Sequence, residues 1–173
     1  SNSLPTTKNY DLNQAYTDSA IGFSIYFPNE WQLVPNFQGT VLMGTGSYTM
    51  NENLEMLNRG GFDIKIRTLE KDYSYKTWLK GNLPSIKKEY ADYKIKNEYE
   101  IETNGVPAIC IYSVMTVNDV SLSSFQLYFT NEKTGYILSA SAKTESFDLY
   151  QELFVEIAWT FKTINTKAGS KNS

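Results

Sequence analysis

The sequence predicts an α+β domain, in which an antiparallel β-sheet is flanked by helices in a layered α/β/α sandwich. Apolar and polar residues alternate, as in half-buried strands, at 23–27, 62–69 and 94–103. Apolar residues recur at helical spacing over 73–93 and again from Ser146 onward. One helix inside the chain and one near its end are therefore available to cover the two faces of the sheet.

The first two strands are predicted on either side of a turn at Gly22. Residues 15–18 form the first strand. The second strand covers 23–27, and Pro28 ends it because proline has no N–H to donate to a sheet. Alternation places Tyr26 on the outward face, opposite the core-facing side chains of Phe23, Ile25 and Phe27.

The next two strands are predicted at 39–44 and 62–69, where β-branched and apolar residues are frequent. Between them, residues 45–61 form an excursion closed by two glycines, with one helical turn at 52–57. The long helix follows, with Asp72 or Ser74 as its N-cap.

The long helix is predicted over 73–93, with an apolar stripe formed by Tyr75, Leu79, Leu83, Ile86 and Tyr90. Gly81 and Pro84 interrupt this pattern. Glycine is a poor helix former, and proline removes a helical hydrogen bond. The sequence therefore predicts a break or a kink at 81–84.

Four further strands are predicted to form a meander, at 94–103, 108–117, 121–130 and 136–143. The first of them connects to the second through Asn104-Gly105, the strongest hairpin signal in the chain. The second is apolar on both faces and is therefore expected to be central. The last contains a run of small residues that allows the C-terminal helix to pack closely, namely Ser139, Ala140, Ser141 and Ala142.

Alternation in the first strand of this meander predicts an inward and an outward face. Its inward side chains are Ile95, Tyr99 and Ile101, and its outward acids are Glu98, Glu100 and Glu102. Alternate residues of a strand lie about 6.6–7 Å apart, which is too far for three carboxylates to share one small cation. The acids are interpreted as a solvated sheet face.

The segment 22–31 has the pattern G-F-S-x-x-[FY]-P-x-x-W. It resembles the opening hairpin of the PsbP / Mog1 / DcrB-like family, which includes small bacterial lipoproteins. The helix with Trp78, the turn at 104–108 and the final aromatic helix extend the resemblance to about 21–161. It implies a Mog1/PsbP-like fold. Metal binding through histidine, which some relatives show, is not transferred because this chain has no histidine.

A length of 173 residues suits one domain. We expect a flexible N-terminal tether at 1–14, a single PsbP-like domain at 15–164 and a disordered tail at 165–173. The net charge of −3 and the scattered basic residues argue against nucleic acid as a partner. No apolar run approaches the roughly 20 residues that a membrane-spanning helix needs.

The catalytic inventory of the sequence is poor. The absence of histidine excludes Ser-His-Asp and Cys-His catalysis, and the single cysteine, Cys110, excludes an intrachain disulfide and is expected in the core. Gly44-Thr45-Gly46 lacks the remaining residues of a phosphate-binding loop. The sequence therefore nominates no catalytic, cofactor-binding or metal-binding residue, and predicts a protein that is not an enzyme.

The chain is rich in aromatic residues, with 13 Tyr, 9 Phe and 3 Trp, more than a domain of this size can bury completely. Trp31 and Trp159 are expected in the core. Tyrosine and tryptophan are enriched at protein interfaces, and the candidate partner contacts are Tyr26, Tyr48, Met50 and Met56. The alternative for these four residues is ordinary packing on a sheet face or within their own loop.

Three functional hypotheses follow, with a hidden hydrolase as a distant fourth. The first is a non-enzymatic accessory or protein-interaction domain of an exported bacterial PsbP/DcrB-like lipoprotein, with a lipid anchor upstream of Ser1 and an extracytoplasmic, membrane-anchored or cell-surface location. The second is a small-ligand or lipid-binding module, with a pocket between the sheet and the 75–92 helix. The third is a cytoplasmic Mog1-like partner-binding protein. The partner itself is not identified by the sequence.

Overall fold

The structure is a computed structural model that describes residues 11–29, 31–37, 40–45, 61–69, 73–103 and 105–164. Its elements in chain order are β1 (Gln14–Asp18), β2 (Phe23–Phe27), β3 (Trp31–Phe37), β4 (Thr40–Thr45), β5 (Gly61–Thr68), α1 (Tyr75–Glu89), β6 (Lys94–Thr103), β7 (Val106–Val117), β8 (Val120–Asn131), β9 (Thr134–Lys143), α2 (Phe147–Trp159) and β10 (Lys162–Thr163).

The strands of the described residues form two antiparallel sheets. As far as the chain is described, the larger one has seven strands in the order β3-β4-β5-β9-β8-β7-β6, and the smaller one has the order β1-β2-β10. The predicted meander is confirmed as the half of the large sheet that runs from β6 to β9. The first hairpin, however, belongs to the separate small sheet rather than to a single common one.

Strand β3 is an element that the sequence reasoning missed. Within the described ranges it pairs only with β4, at one edge of the large sheet, and its register shifts between Val34 and Phe37. Pro35 lies inside that shift. A proline argues against a central strand, but an edge strand with an irregularity tolerates its missing N–H.

The described side chains form two apolar cores on opposite faces of the large sheet, which confirms the layered α+β architecture. On one face, α2 and the small sheet pack over a cluster that includes Phe23, Phe125 and Phe154. On the other face, α1 packs through Leu79 onto a smaller cluster formed by Ile109, Ile111, Tyr128 and Ile137. Strand β7 contributes buried residues to both clusters, so it is covered on both faces, as predicted, but it lies next to the edge strand β6 rather than at the centre of the sheet.

Helix α1 begins after Ser74, whose Oγ accepts a hydrogen bond from the backbone N–H of Thr77 at 3.2 Å. Of the break or kink expected at 81–84, the break is wrong, because the helix continues to Glu89 with Pro84 inside it, and the kink stays a prediction. Gly81 and Pro84 are both exposed, so neither interrupts the apolar stripe that holds the helix on the sheet. Tertiary packing outweighs local helix propensity here.

Strand β6 contains a bulge that alternation alone did not predict. Its register with β7 shifts between Ile95 and Asn97. Ile95 therefore packs against the cluster under α1, whereas Tyr99 and Ile101 pack on the α2 side. The prediction that these three side chains share one face is wrong, because a bulge adds one residue and reverses the alternation beyond it.

The predicted turns show their conformation in the backbone. Asn118 and Asp119 have φ values of 49° and 64°, so the β7–β8 hairpin turns through two left-handed residues. Gly105 has a φ of 77° in the preceding hairpin, while Asn104 lies outside the described residues. The interior of the predicted 45–61 excursion, most of the predicted tether and the predicted tail also lie outside them.

Candidate cleft between helix α1 and strand β6

A cleft of about 510 Å³ separates α1 from the edge of the large sheet. Helix α1 packs mainly over β7 and β8, and the cleft lies between the helix and the neighbouring edge strand β6. One wall is α1, the opposite wall is β6, and β7 contributes to the floor. The lining residues are Lys76, Leu79, Lys80, Leu83, Glu98, Glu100 and Ile109.

The floor of the cleft is apolar. Leu79 and Ile109 are 5% and 4% exposed, and Leu83 is partly buried against the same cluster. These residues reach the floor because Leu79 and Leu83 lie one turn apart on the inner face of α1. Ile109 lies on the face of β7 that α1 covers. The apolar core under α1 therefore extends to the protein surface at the floor of the cleft.

The rim of the cleft is charged. Lys76 on α1 and Glu100 on β6 form an ion pair across one end. The hydroxyl of Tyr75 donates a hydrogen bond to the same Glu100 Oε1 atom at 3.3 Å. The hydrogen bond from Lys76 and its charge lower the pKa of the Glu100 carboxyl, and the same contacts with Glu100 raise the pKa of the Lys76 ammonium.

A second pair of opposite charges faces across the cleft one step further along. Lys80 follows Lys76 by one helical turn, and Glu98 precedes Glu100 on the same face of β6. Within the described part of the chain, neither Lys80 nor Glu98 has an ion-pair partner. The cleft therefore presents an unpaired cation and an unpaired anion on opposite walls above an apolar floor.

A smaller depression of about 330 Å³ lies on the other side of α1, lined by Tyr73, Thr77, Trp78, Gly81 and Asn82. Asn82 Nδ2 donates a hydrogen bond to the Trp78 carbonyl at 2.8 Å, so its side-chain amide is already used in a hydrogen bond within α1. The described lining contains no charged side chain. This depression has less to offer a ligand than the cleft at β6.

Buried serines form a polar strip on the α1 side of the sheet, which sequence reasoning missed. The hydroxyls of Ser113 and Ser124 lie 2.9 Å apart, and Gln126 Nε2 donates to Ser139 Oγ at 3.1 Å. The sequence alone indicates Ser139 only as a small residue that allows close helix packing. On β9 the α2 side is instead formed by Ala140 and Ala142, so the signal was the strict alternation of serine and alanine.

No described arrangement combines a nucleophile with a base. Cys110 is fully buried, and burial raises the pKa of its thiol to about 12. Among the residues that the structure describes, no group of three or more Cys, Asp or Glu side chains could hold a metal ion. The chemistry available in the cleft is ion pairing, hydrogen bonding and apolar contact, which supports binding.

The predicted contact residues are not brought together with the cleft. Tyr26 is 46% exposed on the small sheet, where its backbone N–H donates to Thr160 Oγ1 at 2.8 Å. Tyr48, Met50 and Met56 lie outside the described residues. Trp31 is buried, as predicted, and Trp159 is half-buried.

In the described ranges, no helix is both long enough and apolar enough to span a membrane.

Searches against protein-family models and curated proteins gave no match to this chain. Solved structures do match. Cyanobacterial PsbP (CyanoP) from Synechocystis sp. PCC 6803 is similar with a TM-score of 0.63 and 15% identity, over 87% of this chain and 91% of that chain. LpqN of Mycobacterium tuberculosis, described as involved in cell envelope biogenesis, has a TM-score of 0.61 and 11% identity, over 88% of this chain and 90% of that chain.

The Ran-binding protein Mog1p of Saccharomyces cerevisiae is also similar, with a TM-score of 0.59 and 6% identity, over 88% of this chain and 95% of that chain. Identities this low establish the fold and nothing finer. The fold is therefore PsbP/Mog1-like, which confirms what the resemblance at 22–31 implied.

Proposed function

We propose that this chain is a non-enzymatic protein-interaction domain that binds its partner through the cleft between α1 and β6. The observation that carries the proposal is the lining of the cleft, in which buried Leu79 and Ile109 lie beneath unpaired Lys80 and Glu98. An apolar centre with a polar rim is the usual anatomy of a protein interface. That one structural neighbour is a Ran-binding protein agrees with a binding role for the fold, by analogy alone.

Site-specific photo-crosslinking in the native host tests the proposal. A photoreactive amino acid at Leu83 reports from the cleft, and the same group at Ser85 reports from the exposed face of the same helix. We expect a discrete crosslinked partner from position 83 that is absent at position 85 and is lost when Lys80→Glu is added. Identical crosslinking from both positions would contradict the proposal.

A small-molecule or lipid ligand is the second candidate, because about 510 Å³ lies within the range of about 300–1,000 Å³ typical of ligand pockets. A ligand that binds the native state raises the unfolding midpoint. We expect such a ligand to lose its effect when Leu83→Trp fills the cleft. If no fatty acid, phospholipid or metabolite shifts the midpoint of the unmodified chain, the protein-partner proposal stands alone.

We further propose that the domain acts outside the bacterial cytoplasm as a lipid-anchored protein, with a cytoplasmic Mog1-like role as the alternative. The neighbour described as involved in envelope biogenesis supports the first location by analogy. Labelled-palmitate incorporation and fractionation of the full-length gene product distinguish them. Label in the membrane fraction supports the anchored protein, whereas unlabelled protein in the cytosol supports the alternative.

A further inference from the structure

We propose that strand β6 accepts an extended, basic segment of a partner as an additional strand of the large sheet. This inference rests on the proposed function and names the chemistry of the partner. Strand β6 is ten residues long and is the last strand on its side of the sheet, with no strand beyond it among the described residues. Every second peptide unit on its outer edge is therefore available for hydrogen bonds, as in other cases of strand addition.

The exposed acids on β6 determine the charge of the partner segment that can pair with this strand. Glu98, Glu100 and Glu102 are exposed at alternate positions, so they project on the same face of the strand. Their register partners on β7 are Ile111, Ile109 and Pro107, none of which carries charge. Among the residues that the structure describes, only Glu100 of the three has an ion-pair partner, which is Lys76 of α1. Glu98 and Glu102 therefore have no ion-pair partner in the described part of the chain.

A second copy of this chain is a poor occupant of the edge. Antiparallel pairing of two β6 strands about Glu100 would place acid opposite acid at every position on this face, and like charges directly opposite are destabilising. Lys94 does not relieve this repulsion. The bulge between Ile95 and Asn97 separates it from the alternation of the acids and pairs it with Val114.

The other face of β6 determines which apolar side chains the added partner strand needs. Tyr99 and Ile101 project on that face and pack against the larger core. Tyr99 is partly buried and Ile101 is buried. An added strand would meet the acids on one face and these apolar residues on the other. The matching segment therefore alternates lysine or arginine with β-branched or aromatic residues over about five to seven positions.

Fluorescence anisotropy with a synthetic peptide of alternating lysine and valine tests the inference on the full chain. We expect saturable binding at low ionic strength that weakens as salt is added, because the charges are exposed. The double variant Glu98→Lys/Glu102→Lys, which keeps the Glu100–Lys76 pair, should bind about tenfold or more weakly. The matched control Glu132→Lys/Glu145→Lys carries the same charge change elsewhere and should bind like the unmodified chain.

Backbone methylation distinguishes strand addition from simple charge attraction. N-methyl groups on one alternate set of peptide residues face β6 and block its hydrogen bonds, whereas the other set faces away. We expect one methylated peptide to bind and the other to fail. Equal binding of both peptides, undiminished binding to Glu98→Lys/Glu102→Lys with an unchanged thermal midpoint, or no binding of the unmethylated peptide would overturn the inference. Crosslinking from Leu83 would be unaffected by any of these results, so failure here leaves the proposed function standing.

Discussion

The six-membered ring of Trp78 lies against the backbone of Gly135, and no side chain fits between them. A Cβ atom at Gly135 would lie 2.8 Å from Cη2 and 2.9 Å from Cζ2 and Cζ3 of the indole. The same indole meets the ring of Tyr128 nearly edge to face, with centroids 5.7 Å apart. Because Trp78 belongs to α1, this contact positions the helix that forms one wall of the cleft.

Replacing Gly135 by alanine is predicted to destabilise the protein. The added methyl group overlaps the Trp78 ring, and overpacking of this kind costs about 1–3 kcal/mol. Urea denaturation followed by tryptophan fluorescence measures the change in the free energy of unfolding. In a Trp78→Leu background the same replacement should cost less, since the obstructing ring is gone.

Gly81→Ala is the matched control. A Cβ atom at Gly81 meets no heavy atom within 4 Å, and the residue lies inside α1. Alanine is a better helix former than glycine, so this variant should gain up to about 1 kcal/mol of stability. If both replacements have the same effect, the Trp78–Gly135 contact does not fix the helix.

The sequence predicted most of the elements because alternation, helical spacing and turn residues are local signals. The four strands between Lys94 and Lys143 and both helices follow directly from them, whereas the short strand β10 at Lys162–Thr163 does not. The errors arise where a local signal is outweighed by position in the sheet. Pro35 argues against a strand at this position, but the proline is tolerated because β3 is an edge strand. Pro84 suggests a break in α1, but the break does not occur because this proline lies on the exposed side of the helix.

The sequence predicts where the cleft lies but not which residues line it. It predicts a pocket between the sheet and the 75–92 helix, but it indicates a solvated sheet face at Glu98 and Glu100, which in fact line the cleft. Which face of β6 lies beside α1 depends on the bulge at Ile95 and on pairing between distant strands. Neither is encoded in the spacing of residues along one segment.

The ion pair between Lys76 and Glu100 predicts a specific effect on titration. Lys76 lowers the pKa of Glu100, so Lys76→Ala should raise that pKa toward the usual glutamate range. A group whose pKa is lowered by folding contributes stability above its unfolded pKa and loses it as the pH falls through the folded pKa. The contribution of Glu100 should therefore disappear only in acid, below the ordinary glutamate range.

Carboxyl NMR titration of the unmodified chain and of Lys76→Ala measures this shift. The charge exchange Lys76→Glu/Glu100→Lys restores opposite charges across the cleft and serves as the control. Both side chains are more than half exposed, so high salt should reduce the shift. A Glu100 pKa that is identical with and without Lys76 would show that the ion pair does not persist in solution.

Cys110 is predicted to be unreactive while the protein is folded. The thiolate is the reactive form, and burial raises the thiol pKa to about 12. A thiol reagent at neutral pH should therefore modify Cys110 only as fast as the chain opens, and immediately in denaturant. Because the folded pKa lies above the unfolded value of about 8.5, this thiol also predicts a loss of stability as the pH rises beyond that value. Rapid labelling of the native chain would contradict the burial of Cys110.

Neighbouring residues of β2 separate a surface role from a core role. Tyr26 is 46% exposed and Phe27 is 2% exposed, on opposite faces of the same strand. Phe27→Ala should cost about 3–5 kcal/mol because it opens a cavity in the larger core. Tyr26→Ala should change the free energy of unfolding by no more than about 0.5 kcal/mol, as is usual for exposed positions. If Tyr26 contacts a partner, its replacement will weaken that binding at unchanged stability, and crosslinking from Leu83 will show whether the same partner also occupies the cleft.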